Sequence, residues 1–177
     1  LKSAFGWLLY WDQALTAHLT LSTAARARRR LALVIAHSGD SLLWIAGALL
    51  AIGLSEEIGR EAGQRVLLAT LIGGGATWLL KQCFRRRRPS SESYGLYLGL
   101  DVHSFPSGHA GRNACSVVLL WPLLSPWLQA GLLAWLVGLG LSRVTLGIHY
   151  VSDVLVGFVV GMSVGWGLGM LHSFTVQ

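Results

Sequence analysis

An all-α, multi-pass transmembrane helical bundle is the fold that this sequence predicts, and three observations predict it. Hydrophobic residues make up 53% of the 177 residues and charged residues only 12%, against roughly 25% charged in an ordinary soluble domain. The mean hydropathy is +0.56. The charges fall in clusters and leave uncharged windows over Ser41–Ser55, Val66–Leu80 and Asn113–Ser142, and after Asp153 none occurs again. This composition excludes a disordered chain, a collagen-like chain and a coiled coil, and it weighs against a soluble enzyme. Eight Trp and 22 Gly agree, because Trp favours the membrane–water interface and Gly is commoner in membrane helices than in soluble ones.

The first 38 residues make no clean span. Leu8, Leu9, Trp11, Leu15 and Leu19 have Asp12, Gln13 and His18 among them, and Arg26, Arg28, Arg29 and Arg30 follow. The pattern reads as one or two amphipathic helices lying at the interface, with a sixth, tilted span near residues 4–22 as the alternative. Asp12 and His18 also argue against a signal peptide. Ser38 and Asp40 read as helix caps before the first span.

Five spans follow, over residues 40–58, 64–84, 106–124, 126–144 and 150–171. A membrane helix needs about 20 apolar residues. The windows Ser41–Ser55 and Val66–Leu80 are shorter, so their helices must extend into flanking polar residues. The window from Asn113 to Ser142 is too long for one helix, and Pro122 and Pro126 split it, because proline breaks helices and disfavours helix in the residue before it. Gly157, Gly161, Gly165 and Gly169 share one face of the last span, which lets another backbone approach closely. Gly73-Gly74-Gly75 marks a second close crossing. There is no internal repeat and no dividing linker, so residues 1–177 read as a single domain. Residues 1–38 form its interfacial segment and residues 39–177 its transmembrane bundle. Cys83 and Cys115 lack metal-ligand spacing and read as buried free thiols.

Lys+Arg outnumber Asp+Glu by 14 to 8. In so apolar a chain, the runs Arg26–Arg30 and Arg85–Arg88 point to lipid headgroups or a phosphorylated ligand. Nucleic acid is the weaker reading, because no basic helix or aromatic platform accompanies them. Polar residues in a membrane chain are functional candidates by default, since burying them is expensive. Here they gather at Lys81–Pro89, Ser104–Ala110 and Ser142–Asp153, which five spans bring to one side of the membrane.

The residue types point to phosphate chemistry. Lys81, Arg88 and Arg143 converge where nearby acids are too few to neutralise them, and an anionic ligand solves this, with Arg giving bidentate contacts. Pro106 suits a first helical turn, so Ser107 and Gly108 would offer backbone N–H groups and a hydroxyl to phosphate oxygens. His149 and Asp153 are spaced i, i+4, so a carboxylate can fix one ring nitrogen and leave the other for attack. His109 supplies a second imidazole to protonate a leaving alkoxide. Together they describe metal-free phosphoryl transfer through a phosphohistidine. Arg112, one turn after His109, is expected to line the substrate site and contact a headgroup or second phosphate, against the alternative of an Arg that snorkels to the interface. Arg85, Arg86 and Arg87 read equally as headgroup contacts and as a solvated basic loop. Asp101 and His103 read as loop residues without a role.

Lys81-x6-Arg88-Pro89, then Pro106-Ser107-Gly108-His109, then Ser142-Arg143-x5-His149-x3-Asp153 resembles the three-part signature of the type-2 phosphatidic acid phosphatase superfamily, and every signature position matches. The resemblance covers residues 64–171. It implies a helical-bundle membrane phosphatase acting on lipid phosphates without a metal or other cofactor. It implies His149 as nucleophile, His109 as acid/base and Asp153 as the residue orienting His149, with Lys81, Arg88, Ser107, Gly108 and Arg143 binding phosphate. Soluble haloperoxidases and acid phosphatases share the signature, but the apolar spans favour the membrane branch. The expected substrate is phosphatidate, phosphatidylglycerophosphate or a polyprenyl mono- or diphosphate. Transfer of the phosphoryl group to another lipid, or lipid binding without catalysis, are the alternatives. The expected partners are that lipid and the bilayer of the inner membrane. The Lys/Arg excess on the motif side favours a cytoplasm-facing site, although many relatives of the family work on the outer face.

Overall fold

The structure is a computed structural model that describes residues 2–89 and 103–175, and Asp101 lies outside the described residues. Eight α-helices form it: α1 (Lys2–Leu19), α2 (Arg26–Ser38), α3 (Ser41–Leu54), α4 (Glu57–Leu68), α5 (Gly74–Phe84), α6 (Gly108–Leu120), α7 (Pro126–Thr145) and α8 (Val151–Thr175). A π-helical turn, Ala69–Gly73, joins α4 to α5, so residues 57–84 run as one 28-residue helix. No strand occurs among the described residues.

Local sequence explains the breaks. Ser107 caps α6, its Oγ accepting from the Ala110 N–H at 3.4 Å. Proline stands at the first turn of α7, where its missing N–H costs nothing, and a 3₁₀ turn over Trp121–Leu123 separates α6 from α7, as the two prolines predict. Arg85, with φ 45°, closes α5 in the left-handed region. Gly147, with φ 70°, does the same work between α7 and α8, where a side chain would be strained.

Helix α6 is the core of the bundle. Every residue from Ala110 to Val117 is buried, and α6 crosses α8 so closely that a Cβ on Gly161 would stand 1.9 Å from the Gly111 carbonyl oxygen. Cβ atoms on Gly157 and Gly165 would also stand within 3.0 Å of α6 or its N-cap residue, whereas at Gly169 the gap has opened beyond 4 Å. Of the three successive glycines, Gly73 makes the close crossing, against Cys115. The outer faces are apolar: Leu42, Leu54, Trp127 and Trp166 are all more than two thirds exposed, which fits a lipid-facing surface.

Length and composition pick out fewer membrane-crossing helices among the described residues than the expected five spans. Three helices are long and apolar enough to cross a membrane, over residues 57–84, 126–145 and 151–171, and a fourth counts only if α2 and α3, bent by 46°, form one span. The expected span over 40–58 is the 14-residue α3. The expected span over 106–124 is the 13-residue α6, about 20 Å long. It is wrapped by protein and need not match the bilayer. Helix α2 is no isolated surface helix, since Ala32 and Ala36 pack with Leu146 and Ile148. The capping expectation holds for the position of Asp40 but not for Ser38. Ser38 ends α2, donating to the Ile35 carbonyl and accepting from Trp135 Nε1. Asp40 stands at the N-cap of α3 without making a cap bond. Cys115 is buried as expected, but Cys83 is exposed, and both are free thiols.

Candidate active site

The residues singled out by the sequence meet at one end of the bundle. Lys81 comes from the last turn of α5 and Arg88 from the segment after it. Ser107, Gly108, His109 and Arg112 come from the start of α6, Arg143 from the end of α7, and His149 and Asp153 from the start of α8. Lys81, Arg88, Arg112 and Arg143 are at most 8% exposed. Four buried cations at one end of an apolar bundle concentrate positive charge there.

The contacts knit these groups together. Lys81, Gly108, His109 and Arg112 line one cavity of about 250 Å³. The guanidinium of Arg143 stands 3.3 Å from His109 Nδ1. Arg88 donates to the Ile148 carbonyl at 3.1 Å, next to His149. The Ser107 N–H donates to the Asp153 carbonyl at 2.9 Å, which fixes the start of α6 against the start of α8. His149 and Asp153 are both buried, and their side chains approach to 3.6 Å at Nδ1 and Oδ2. That leaves Nε2 as the ring nitrogen turned from the carboxylate. Arg112 does not snorkel: its guanidinium bonds the Gly39 carbonyl and the Ser41 hydroxyl while it lines the cavity. A larger cavity, about 580 Å³, lies at the opposite end around Arg65 and Leu119, away from all these groups.

Three residues in the site were not picked out as site residues in the sequence. Arg86 is not a solvated loop residue. It donates to Asp153 at 2.8 Å, Ser152 at 2.7 Å and Asp12 at 2.7 Å, and it lies over the Tyr150 ring at 3.8 Å. Asp12 of α1 accepts from the Ser152 N–H at 3.0 Å and the Ser152 hydroxyl at 2.5 Å. It thereby caps α8 from another helix. Asp40 bonds His109 Nε2 at 2.8 Å and His37 Nδ1 at 2.8 Å. The signal for all three was a charge at the edge of an apolar run, but their partners lie far away in sequence. Among the described residues no group of three His, Cys, Asp or Glu side chains is arranged to hold a metal ion.

A helical membrane bundle with a polar, cation-rich pocket buried at one end defines the class of this molecule. The chain belongs to the PAP2 superfamily, whose family model matches residues 63–175. It is 33% identical over 146 residues to a decaprenylphosphoryl-5-phosphoribose phosphatase of Mycolicibacterium smegmatis, spanning 81% of this chain and 75% of the relative. It is 36% identical over 96 residues to phosphatidylglycerophosphatase B of Bacillus subtilis, spanning 48% of this chain and 45% of that protein. The crystal structure of a transmembrane PAP2-type phosphatidylglycerolphosphate phosphatase from Bacillus subtilis shares the fold, with a TM-score of 0.69 and 24% identity over 96% of this chain and 88% of that one.

Proposed function

We propose that this chain is an integral membrane lipid phosphatase. It hydrolyses the phosphate of a lipid such as phosphatidate, phosphatidylglycerophosphate or a polyprenyl mono- or diphosphate, without a metal and through a phosphohistidine. One observation carries the reading: two imidazoles, one beside a buried carboxylate, share a bundle end with four buried cations. The two relatives, both named as phosphatases of lipids, support the substrate class. Residues 1–177 act as one domain, with residues 1–38 at the interface and the bundle behind them.

In this reading His149 Nε2 attacks phosphorus while Asp153 orients the ring and offsets the charge that develops on it. Lys81, Arg88 and Arg143, with the Gly108 N–H and the Ser107 hydroxyl, hold the phosphoryl oxygens and neutralise them in the transition state. His109 gives a proton to the leaving oxygen and takes one from the water that hydrolyses the phosphoenzyme. Arg112 reaches a headgroup or second phosphate from the same cavity. The site faces the cytoplasm across the inner membrane.

The test is phosphate release by the purified chain, in EDTA, from a panel of those lipids in mixed micelles. Release from at least one lipid is expected, with none from His149→Ala. A strict need for added divalent metal, or equal release by the variant, overturns the reading.

A further inference from the structure

We infer that Asp40 is the positioning residue for His109, fixing its tautomer so that Nδ1 is the nitrogen presented to the phosphate. This rests on the reading of His109 as the acid and base of the reaction. Asp40 Oδ1 lies 2.8 Å from His109 Nε2. Arg143 NH2 lies 3.3 Å from Nδ1. A guanidinium can only donate, so Nδ1 carries the lone pair. The ring proton therefore sits on Nε2 and is donated to Asp40. The arrangement repeats the His149–Asp153 pairing with a second carboxylate, contributed by the turn between α2 and α3.

The turn is held where it must be. Three residues of α6 grip it. His109 bonds Asp40, Arg112 bonds the Gly39 carbonyl and the Ser41 hydroxyl, and Asn113 Nδ2 donates to the Gly39 carbonyl at 3.1 Å and to the His109 carbonyl at 2.8 Å. His37 holds the other oxygen of Asp40 at 2.8 Å. Gly39 itself lies against Leu139 of α7, where a Cβ would stand 2.7 Å from the side chain. The charged groups around the His109 ring are thus Asp40 from the turn, Arg143 from α7, Arg112 from its own helix and Lys81 across the cavity. Among these described groups Asp40 is the anion bonded to the ring, so it supports an imidazolium there.

Proton movements then balance over one turnover. Before the first half, Nδ1 takes up a proton from solvent as the anionic substrate enters; the P–O bond to the lipid then breaks as the P–N bond to His149 forms, and that proton passes from His109 Nδ1 to the departing oxygen. In the second, the oxygen of water displaces His149 from phosphorus, and a proton of that water returns to Nδ1. The Nε2 proton stays with Asp40 throughout, which keeps the ring from rotating away between the halves.

Two measurements on the full chain in detergent test this. Nitrogen-15 histidine NMR, with His109 assigned by its loss in His109→Gln, should show neutral His109 protonated on Nε2, and Asp40→Ala should abolish that preference. Kinetics of Asp40→Ala should show kcat on an alkyl phosphate falling about tenfold more than on p-nitrophenyl phosphate, whose leaving group needs no acid. KM should stay within about twofold, and Asp40→Asn, which keeps an acceptor oxygen but no charge, should recover the tautomer but not the rate. An Nδ1-protonated ring in the wild-type chain overturns the inference, as does an equal loss on both substrates. A wild-type chain that releases no phosphate from any lipid overturns the proposed function instead, and the NMR result then decides the placement of Asp40 by itself.

Discussion

At His149 the account makes its sharpest demand on a single side chain. Among the described residues no other imidazole stands beside a buried carboxylate in the α7–α8 corner, so His149→Ala should abolish turnover in the lipid assay. His109→Ala should cost about a hundredfold on alkyl phosphates and far less on aryl ones. Arg86 carries a less obvious prediction. Its bonds to Asp153, Ser152 and Asp12 are charge-assisted, a type that contributes about 1.5–3 kcal/mol each. Arg86→Ala should therefore lower kcat at least about tenfold with KM little changed, because it frees Asp153 rather than the phosphate. A rise in KM alone would mean that Arg86 touches substrate. All nine residues picked out by spacing reach the same end of the bundle, because each sits at a helix end that the spans bring together. Arg86, Asp12 and Asp40 escaped notice for the opposite reason. Each stands in a run where charge has an ordinary surface explanation, and each finds its partner 67 to 74 residues away.

Among the elements, the crossing of α6 on α8 decides stability. Gly161→Ala would drive a methyl group against the Gly111 carbonyl oxygen, and overpacking of this kind costs about 1–3 kcal/mol. Gly167→Ala, on the same helix with nothing within 4 Å, should change stability by no more than about 0.5 kcal/mol. Thermal unfolding of both variants in one detergent checks the contrast, and equal melting temperatures would mean that the crossing is looser than described. The glycine spacing made this face legible in advance, and the two prolines made the α6–α7 break legible. What hydropathy could not show was length. An uncharged window measures the absence of charge, not contact with lipid, so it did not reveal that α6 stops after 13 residues inside a sheath of protein. Nor did it reveal that the Arg-rich α2 turns Ala32 and Ala36 onto Leu146 and Ile148 in the turn after α7.

For the whole molecule, orientation and chemistry are separate questions. A single reporter thiol at the site end, Arg87→Cys in a Cys83→Ser background, sits in an exposed part of the loop after α5, and Cys115 is too buried to compete. A membrane-impermeant maleimide should leave it unlabelled in intact cells and label it in inside-out vesicles; labelling from outside reverses the orientation. The central claim is the phosphoenzyme. Wild-type protein mixed with lipid labelled in its phosphate, held in EDTA and quenched within milliseconds in alkali, should carry label on the chain. That label should be stable to base, released by acid and absent from His149→Ala. Phosphate released at the full rate with no label on the wild-type chain, or label persisting in the His149 variant, would contradict the account.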